Sequence, residues 1–400
     1  MLFALNLVDE FDRITFATLV PEIRDDFGLS DAALVAVGSM SAALPILLAV
    51  PLGYLADRFD RARISAVGAA LWGCAAIATA FAPVVLVIAA ARLAAGTGRL
   101  VNDVVHPSLL ADHYPLTALP RVTAVHRVAS SVGAVLAGLL AGALAVWLGW
   151  RATFLVMALP TAIAVGWAAL VLREPRSAGR EIGGGTHVPA RQALRVLGRK
   201  RTFRPLWLAS LLYGGAFIPM ITTVLTLLLD REYGVGPAGR GAIQSLYAFA
   251  AAAGLALGVW AARRAFTRDE PGRLLSAVAA FLAIYGVGLV LLGLVRSLPV
   301  SVALVVLLGV GSYGYAPAYF TVIAHIAPSH IRSQAYACTL FFFAVGGVLS
   351  AALTATVVDR YGVRVAVQLL AALGLTAALF ARSAAKLVRG DVECEPTAAP

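Results

Sequence analysis

The chain has 400 residues, 60% of them hydrophobic and only 13% charged, with a mean hydropathy of +0.86. Soluble domains run near 25% charged, so these figures exclude a soluble core and specify an integral membrane protein. The net charge of +11 would suit nucleic acid in a soluble protein, but the basic residues gather in particular loops. Membrane topology therefore accounts for them, and no nucleic-acid partner is implied.

Met1 leads directly into the first apolar segment, with no basic n-region or small-residue cleavage site, so no signal peptide is read. The beginning is abrupt, which leaves room for a start further upstream. Segments of about 17 to 25 residues, the length that a bilayer demands, fall at 2–22, 33–56, 64–82, 84–111, 121–147 and 152–172. They recur at 205–229, 240–262, 274–295, 298–326, 334–357 and 363–386. Twelve transmembrane helices in two groups of six are predicted. The expected domains are an N-terminal six-helix bundle over 1–172, a basic linker over 173–204, a C-terminal six-helix bundle over 205–386 and a tail over 387–400.

The linker holds nine Lys and Arg against Glu174 and Glu181. Its Gly183-Gly184-Gly185 run reads as flexible, and Pro189 to Leu197 as a basic amphipathic helix on the membrane face. Across the chain, 22 Lys and Arg fall on the linker's side of the membrane and 7 on the other. The positive-inside rule then places both termini and the linker in the cytoplasm, and the protein in the cell's inner membrane. A weak repeat supports two related halves: Gly53-Tyr54-Leu55-Ala56-Asp57-Arg58 closes helix two, and Gly258 to Arg264 closes helix eight.

Two helices carry charge where lipid penalises it. The first span holds Asp9, Glu10, Asp12 and Arg13, each costing roughly 2.5 to 3.5 kcal/mol at a helix centre. Helix four holds Arg92, Arg99, Asp103 and His106, and their spacings place all four on one face. That face must look into the bundle or a water-filled cavity. Within each helix Asp9 can pair with Arg13, and Asp103 with Arg99. Asp9, Glu10, Asp12 and Asp103 are candidates to gain and lose a proton, because desolvation and a neighbouring arginine push a carboxylate's pKa in opposite directions. Arg13, Arg92 and Arg99 can hold an anionic headgroup. His106 titrates near neutrality and joins the substrate candidates, although a lone His there, like His325 in helix ten, is more often structural.

The C-terminal half has almost no charge in its spans but is rich in aromatic residues. Tyr213, Tyr247, Tyr313, Tyr319 and Phe342 are its substrate-binding candidates. Each alone reads more readily as packing; together with the charged half they outline a cavity suited to an amphiphile. Pro219 and Pro317 mark helices able to kink. The three cysteines are scattered, so neither a disulfide framework nor a metal site follows. The sequence shows no phosphate-binding Gly-rich loop and no nucleophile–base pair, so no cofactor and no enzymatic activity is expected.

The run from Gly53 to Arg63 resembles the loop signature between helices two and three of the major facilitator superfamily, departing at Asp60 and Ala62. Arg92 to Gly98 resembles that family's helix-four signature, and Trp150-Arg151 with Phe154 the start of helix six. Gly133, Gly138 and Gly142 match the helix-five pattern of drug antiporters without its proline. Within the superfamily, Asp12-Arg13 followed by Pro21-Glu22-Ile23 and Phe27-Gly28-Leu29-Ser30, and Ser108 to Pro115, are similar to Spinster-type lipid transporters. Where those carry a helix-four Glu, this chain has Arg99.

The resemblance implies an all-α membrane protein of two six-helix bundles related by pseudo-two-fold symmetry, with helices one and four facing each other. It also implies a proton-coupled secondary transporter of an amphiphilic small molecule or lipid, working as a monomer among membrane lipids by alternating access. Gly53, Asp57 and Arg58 would form a conformational latch. Family position, and Arg99 in place of the expected acid, make Asp12 the first candidate for the transported proton. The substrate expected is lysophospholipid-like; a proton-driven drug or metabolite efflux antiporter is the alternative, and an intramembrane enzyme or receptor a remote third.

Overall fold

The computed structural model describes residues 1–43, 47–48, 52, 60–106, 109–110, 119–172, 190–266, 271–327 and 332–393, and among these the regular elements are helices. The first span is a bent pair, α1 (Leu2–Thr18) and α2 (Val20–Phe27). At the bend the Leu19 N–H reaches both the Thr15 and Phe16 carbonyls, at 3.0 and 3.2 Å. Pro21 sits in the first turn of α2, where its missing N–H leaves no helical bond unmade. Then come α3 (Asp31–Ala43), α4 (Arg61–Ala80) and α5 (Val85–Val104). The Asp60 side chain caps α4 by accepting the Arg63 N–H at 3.0 Å. The proposed latch residues Gly53, Asp57 and Arg58 lie outside the described residues.

The spans expected at 121–147 and 152–172 are the two arms of one long element, α6 (Leu119–Val171), turned at Gly149. Gly149 has φ 76° and ψ 168°, a backbone that a side chain would strain. In the linker, α7 covers Ala190–Arg199. Helix seven is α8 (Phe203–Pro219), a π-turn over Met220–Val224, and α9 (Leu225–Tyr233). After it come α10 (Pro237–Phe266), α11 (Pro271–Leu294), α12 (Leu298–Gly314), α13 (Ala316–Ile326), α14 (Arg332–Tyr361) and α15 (Val363–Glu393). Pro317 lies in the first turn of α13, so the expected kink in helix ten is a break between α12 and α13. Among the described residues nine helices are long and apolar enough to cross a membrane, and the one at Val128–Ala168 contains the Gly149 turn.

The chain forms two compact units. Unit 1 comprises Met1–Ile182, Pro219–Phe249 and Ala351–Val363; unit 2 comprises Gly183–Ile218, Ala250–Ser350 and Arg364–Pro400. In unit 1, Leu5, Trp72, Ala95 and Val101 bury a core between α1, α4 and α5. Leu86, Ile163 and Leu170 stay exposed, as expected of a lipid-facing surface. Apolar burial gains little in lipid, so close backbone approach carries the packing. Gly138 on α6 and Gly241 on α10 show it: a Cβ on Gly138 would lie 2.6 Å from the Gly241 carbonyl oxygen, and the converse contact is tighter still.

Candidate functional site

The charged residues of α1 and α5 meet. Asp9, Glu10 and Asp12 are all buried, although they belong to a helix with no other acid. Arg92 binds Asp12 with two parallel bonds, Nη1 to Oδ2 at 2.7 Å and Nη2 to Oδ1 at 2.8 Å. Its Nη2 also donates to the Thr79 hydroxyl of α4 at 2.8 Å. The Phe16 and Phe154 rings lie 5.1 and 5.6 Å from the guanidinium carbon, so the pair is enclosed by π-faces as well as by hydrogen bonds.

Two residues nearer the N-terminus of α1, at Glu10, the pattern changes. Arg13 Nε donates to Glu10 Oε2 at 2.7 Å, and Arg99 Nη2 donates to Glu10 Oε1 at 2.8 Å. Arg99 Nε also lies 3.3 Å from Asp9 Oδ2. One carboxylate thus bridges two guanidiniums from two helices. The Asp103 side chain is outside the described part of α5. Further along, His106 and His126 are buried and meet edge-to-face at 5.4 Å. The Asn6 amide of α1 donates to the His126 carbonyl at 2.8 Å. Sequence reasoning missed Asn6, Thr79 and His126. Asn6 was legible, being three residues before Asp9 on the same face.

The aromatic candidates divide between the units. In unit 2, Tyr213 is buried; its hydroxyl donates to the Ser312 carbonyl at 2.6 Å, and its ring packs edge-on against Tyr285 and Tyr315 at 5.5 and 4.9 Å. Tyr319 is buried with its hydroxyl against Ser210. Phe342 stacks on Trp207 at 5.2 Å, and Tyr313 remains 41% exposed. Tyr247 is buried in unit 1.

A second ionic group in unit 1 was not foreseen. At the α2 end, Arg24 engages Asp25, Asp31 and Asp230, Arg231 engages Asp31, and Arg240 engages Glu22 and Asp230. The sequence places these residues at the ends of separate segments, and only the fold brings them together.

The profile of the Major Facilitator Superfamily matches residues 2–337 and 220–391. The chain belongs to this family. It is therefore a multi-pass membrane protein of a transporter family, with the fold of two six-helix bundles. It is similar to the human protein spinster homolog 1, 27% identical over 140 residues, a match covering 34% of this chain and 26% of that protein. The match thus spans about a quarter of that relative's length. A gentisate transporter of Corynebacterium glutamicum is 26% identical over 361 residues, covering 86% of this chain and 77% of the relative. Among solved structures, the fold matches a bacterial homolog of the human lysosomal transporter Spinster, in an inward-facing, unoccupied conformation. The TM-score is 0.82 at 20% identity, covering 98% of this chain and 96% of that one. A D-xylose–proton symporter also matches, with a TM-score of 0.75 at 17% identity and 97% of each chain covered.

Proposed function

We propose that the protein is a proton-coupled secondary transporter that moves a lysophospholipid-like amphiphile across the cytoplasmic membrane by alternating access. The observation that carries this reading is the ionic set shared by α1 and α5, in which Asp9, Glu10, Asp12 and Arg92 are buried and Arg13 and Arg99 are partly exposed. Buried ion pairs seldom add stability over apolar packing, and intramembrane ionisable groups mark ion or substrate paths. Asp9, Glu10, Asp12 and Asp103 are the proton-coupling groups on this reading. Arg13, Arg92, Arg99 and His106 supply the polar side of the substrate site, and Tyr213, Tyr247, Tyr313, Tyr319 and Phe342 the aromatic side. Residues 1–172 and 205–386 act as the two moving bundles, with 173–204 and the tail 387–400 in the cytoplasm and Gly53, Asp57 and Arg58 as the latch. The resemblance of Asp12-Arg13 and of Ser108 to Pro115 to Spinster-type lipid transporters supports a lipid substrate.

The test is uptake of labelled lysophosphatidylethanolamine by proteoliposomes with and without a pH gradient. Transport should need the gradient and fall at least tenfold in Asp12→Asn; equal transport without a gradient removes the coupling. A second reading, a proton-driven metabolite or drug efflux antiporter, is favoured by the long match to the gentisate transporter. Gentisate in the same vesicles separates the two.

A further inference from the structure

Polar residues continue along helix one past Asp12, toward the face of the membrane opposite the N-terminus. Asp12, Thr15, Thr18 and Glu22 follow at helical spacing, which puts successive Cβ atoms about 5 to 6 Å apart. Helical bonds run through the bend, from the Leu19 N–H to the Thr15 carbonyl and from the Ile23 N–H to the Leu19 carbonyl. Thr15 and Thr18 are fully buried. Elsewhere in the helices Thr79, Thr153, Thr321 and Thr339 donate their hydroxyls to the carbonyl four residues back, a common outlet for threonine inside a helix. The Thr15 and Thr18 hydroxyls have no protein partner among the described residues.

Helix eight brings further polar atoms of this kind to helix one. Arg240 and Gln244 stand one turn apart on α10, and each is 1% exposed. Arg240 Nη2 donates to Glu22 Oε1, while Glu22 Oε2 and Arg240 Nε are buried without a protein partner. Gln244 Nε2 donates to the Thr226 hydroxyl at 3.3 Å, and that hydroxyl donates to the Ala17 carbonyl at 2.6 Å. Pro21, four residues on from Ala17, has no N–H to offer that carbonyl. Gln244 Oε1 is again buried without a partner. A polar group buried bare is costly, and an internal water removes the cost for about three such groups at once.

We propose that these groups hold a file of waters between helices one, seven and eight, and that the file carries protons between Glu22 and Asp12. The proposal rests on the proton-coupled reading above and adds the route by which the proton reaches the buried carboxylate from the outer face.

One water bonded to two oxygens spans about 5.5 Å, at about 2.8 Å per bond. That length matches each step from Glu22 to Thr18, to Thr15 and to Asp12. A hydroxyl both donates and accepts, so it holds a water in either orientation. A proton that lands on the Glu22 carboxylate passes to the first water, whose own proton moves on along the file. At the far end one O–H bond forms on Asp12, and Glu22 is a carboxylate again. Both Asp12 oxygens accept from Arg92, but each keeps a second lone pair for the arriving proton.

The charges near the two ends are bound to one another. Arg240 and Arg24 engage Asp230, Arg24 and Arg231 engage Asp31, Arg24 engages Asp25, and Arg151 of α6 engages Asp26. At the inner end Arg92 of α5 holds Asp12 and the Thr79 hydroxyl of α4. Glu22, 26% exposed as a side chain against 9% for Asp12, is the end that meets bulk water.

The test uses proteoliposomes of the full chain, sorted so that the termini face the lumen, with labelled lysophosphatidylethanolamine and gentisate as probes. Transport driven by a pH gradient is compared with exchange of labelled for unlabelled probe at equal pH, which moves no net proton. The double variant Thr15→Val with Thr18→Val should slow gradient-driven transport by about tenfold or more and leave exchange unchanged. Thr15→Ser with Thr18→Ser keeps both hydroxyls and should transport as the wild type does. Gradient-driven transport unchanged by the valine pair, or exchange lost to the same extent, overturns the path and leaves the transporter reading standing. Wild-type transport of either probe that ignores the gradient overturns both.

Discussion

Arg24 on α2 lies 3.1 Å from Asp230 on α9, and through Asp230 it is joined to Arg240, whose side chain is only 1% exposed. The chain Arg24–Asp230–Arg240–Glu22 ties the first span to helices seven and eight within unit 1. Removing the buried cation strands the Glu22 carboxylate and leaves Asp230 with Arg24 alone. Arg240→Ala is expected to destabilise the protein by about 3 to 5 kcal/mol, whereas neutralising all partners together with Arg240→Met, Glu22→Gln and Asp230→Asn should recover most of that loss. Thermal unfolding in detergent checks both; an unchanged melting temperature in Arg240→Ala would contradict the role given to the network.

The Arg92–Asp12 pair depends on the fork as well as on the charge. Arg92→Lys keeps the charge but cannot reproduce both bonds to Asp12 and the bond to Thr79, so a loss of about 1.5 to 3 kcal/mol is expected. Thr79→Val removes one donor's partner and should cost about 1 kcal/mol. Both are measured from unfolding midpoints followed by tryptophan fluorescence, and Thr79→Val should retain transport.

Gly138 and Gly241 leave no room for side chains between α6 and α10. Gly138→Val should part the two helices and destabilise by about 1 to 3 kcal/mol, the usual range for overpacking. Gly166, whose added Cβ meets nothing within 4 Å, is the control: Gly166→Ala should leave the melting temperature unchanged or slightly raised.

The aromatic residues of unit 2 should separate by exposure. Tyr213→Phe loses a buried bond to the Ser312 carbonyl and should cost about 1 kcal/mol of stability, read from the unfolding midpoint. Tyr313→Ala, at an exposed ring, should leave stability within about 0.5 kcal/mol and weaken amphiphile binding in a ligand titration. The opposite assignment of the two effects would place the substrate against Tyr213.

Much of this was legible from residues alone. The helical spacing of Arg92 and Arg99, and the crowding of Asp9 to Arg13, identified two charged faces because lipid makes such charge costly wherever it stands. Their partners were less legible. A one-turn pairing of Asp9 with Arg13 is the local choice, yet Arg13 takes Glu10 and Arg99 crosses from α5 to reach Glu10 and Asp9. Spacing along one helix constrains a face and says nothing of what another helix brings to it. Glu22, Asp31, Asp230 and Arg240 were invisible for the same reason: each stands at or just beyond the end of an apolar segment, where charge is ordinary. Gly149 hid in the opposite way, since a single residue suffices to reverse the chain and leaves almost no polar stretch to mark the turn.

The π-turn over Met220–Val224 gives helix seven one residue more than an α-helix would use for the same turn. That extra residue resets the rotational phase of everything after it by about 100°. Before it, Tyr213 meets the aromatic rings of unit 2; after it, the Thr226 hydroxyl donates to the Ala17 carbonyl in unit 1 at 2.6 Å. The division between the units along this span falls between Ile218 and Pro219, immediately ahead of the phase shift. Helix seven is thus indexed separately for each unit. Deleting one residue from the π-turn would shorten the span by only about 1.5 Å, yet it would turn Thr226 away from Ala17 while leaving Tyr213 where it is.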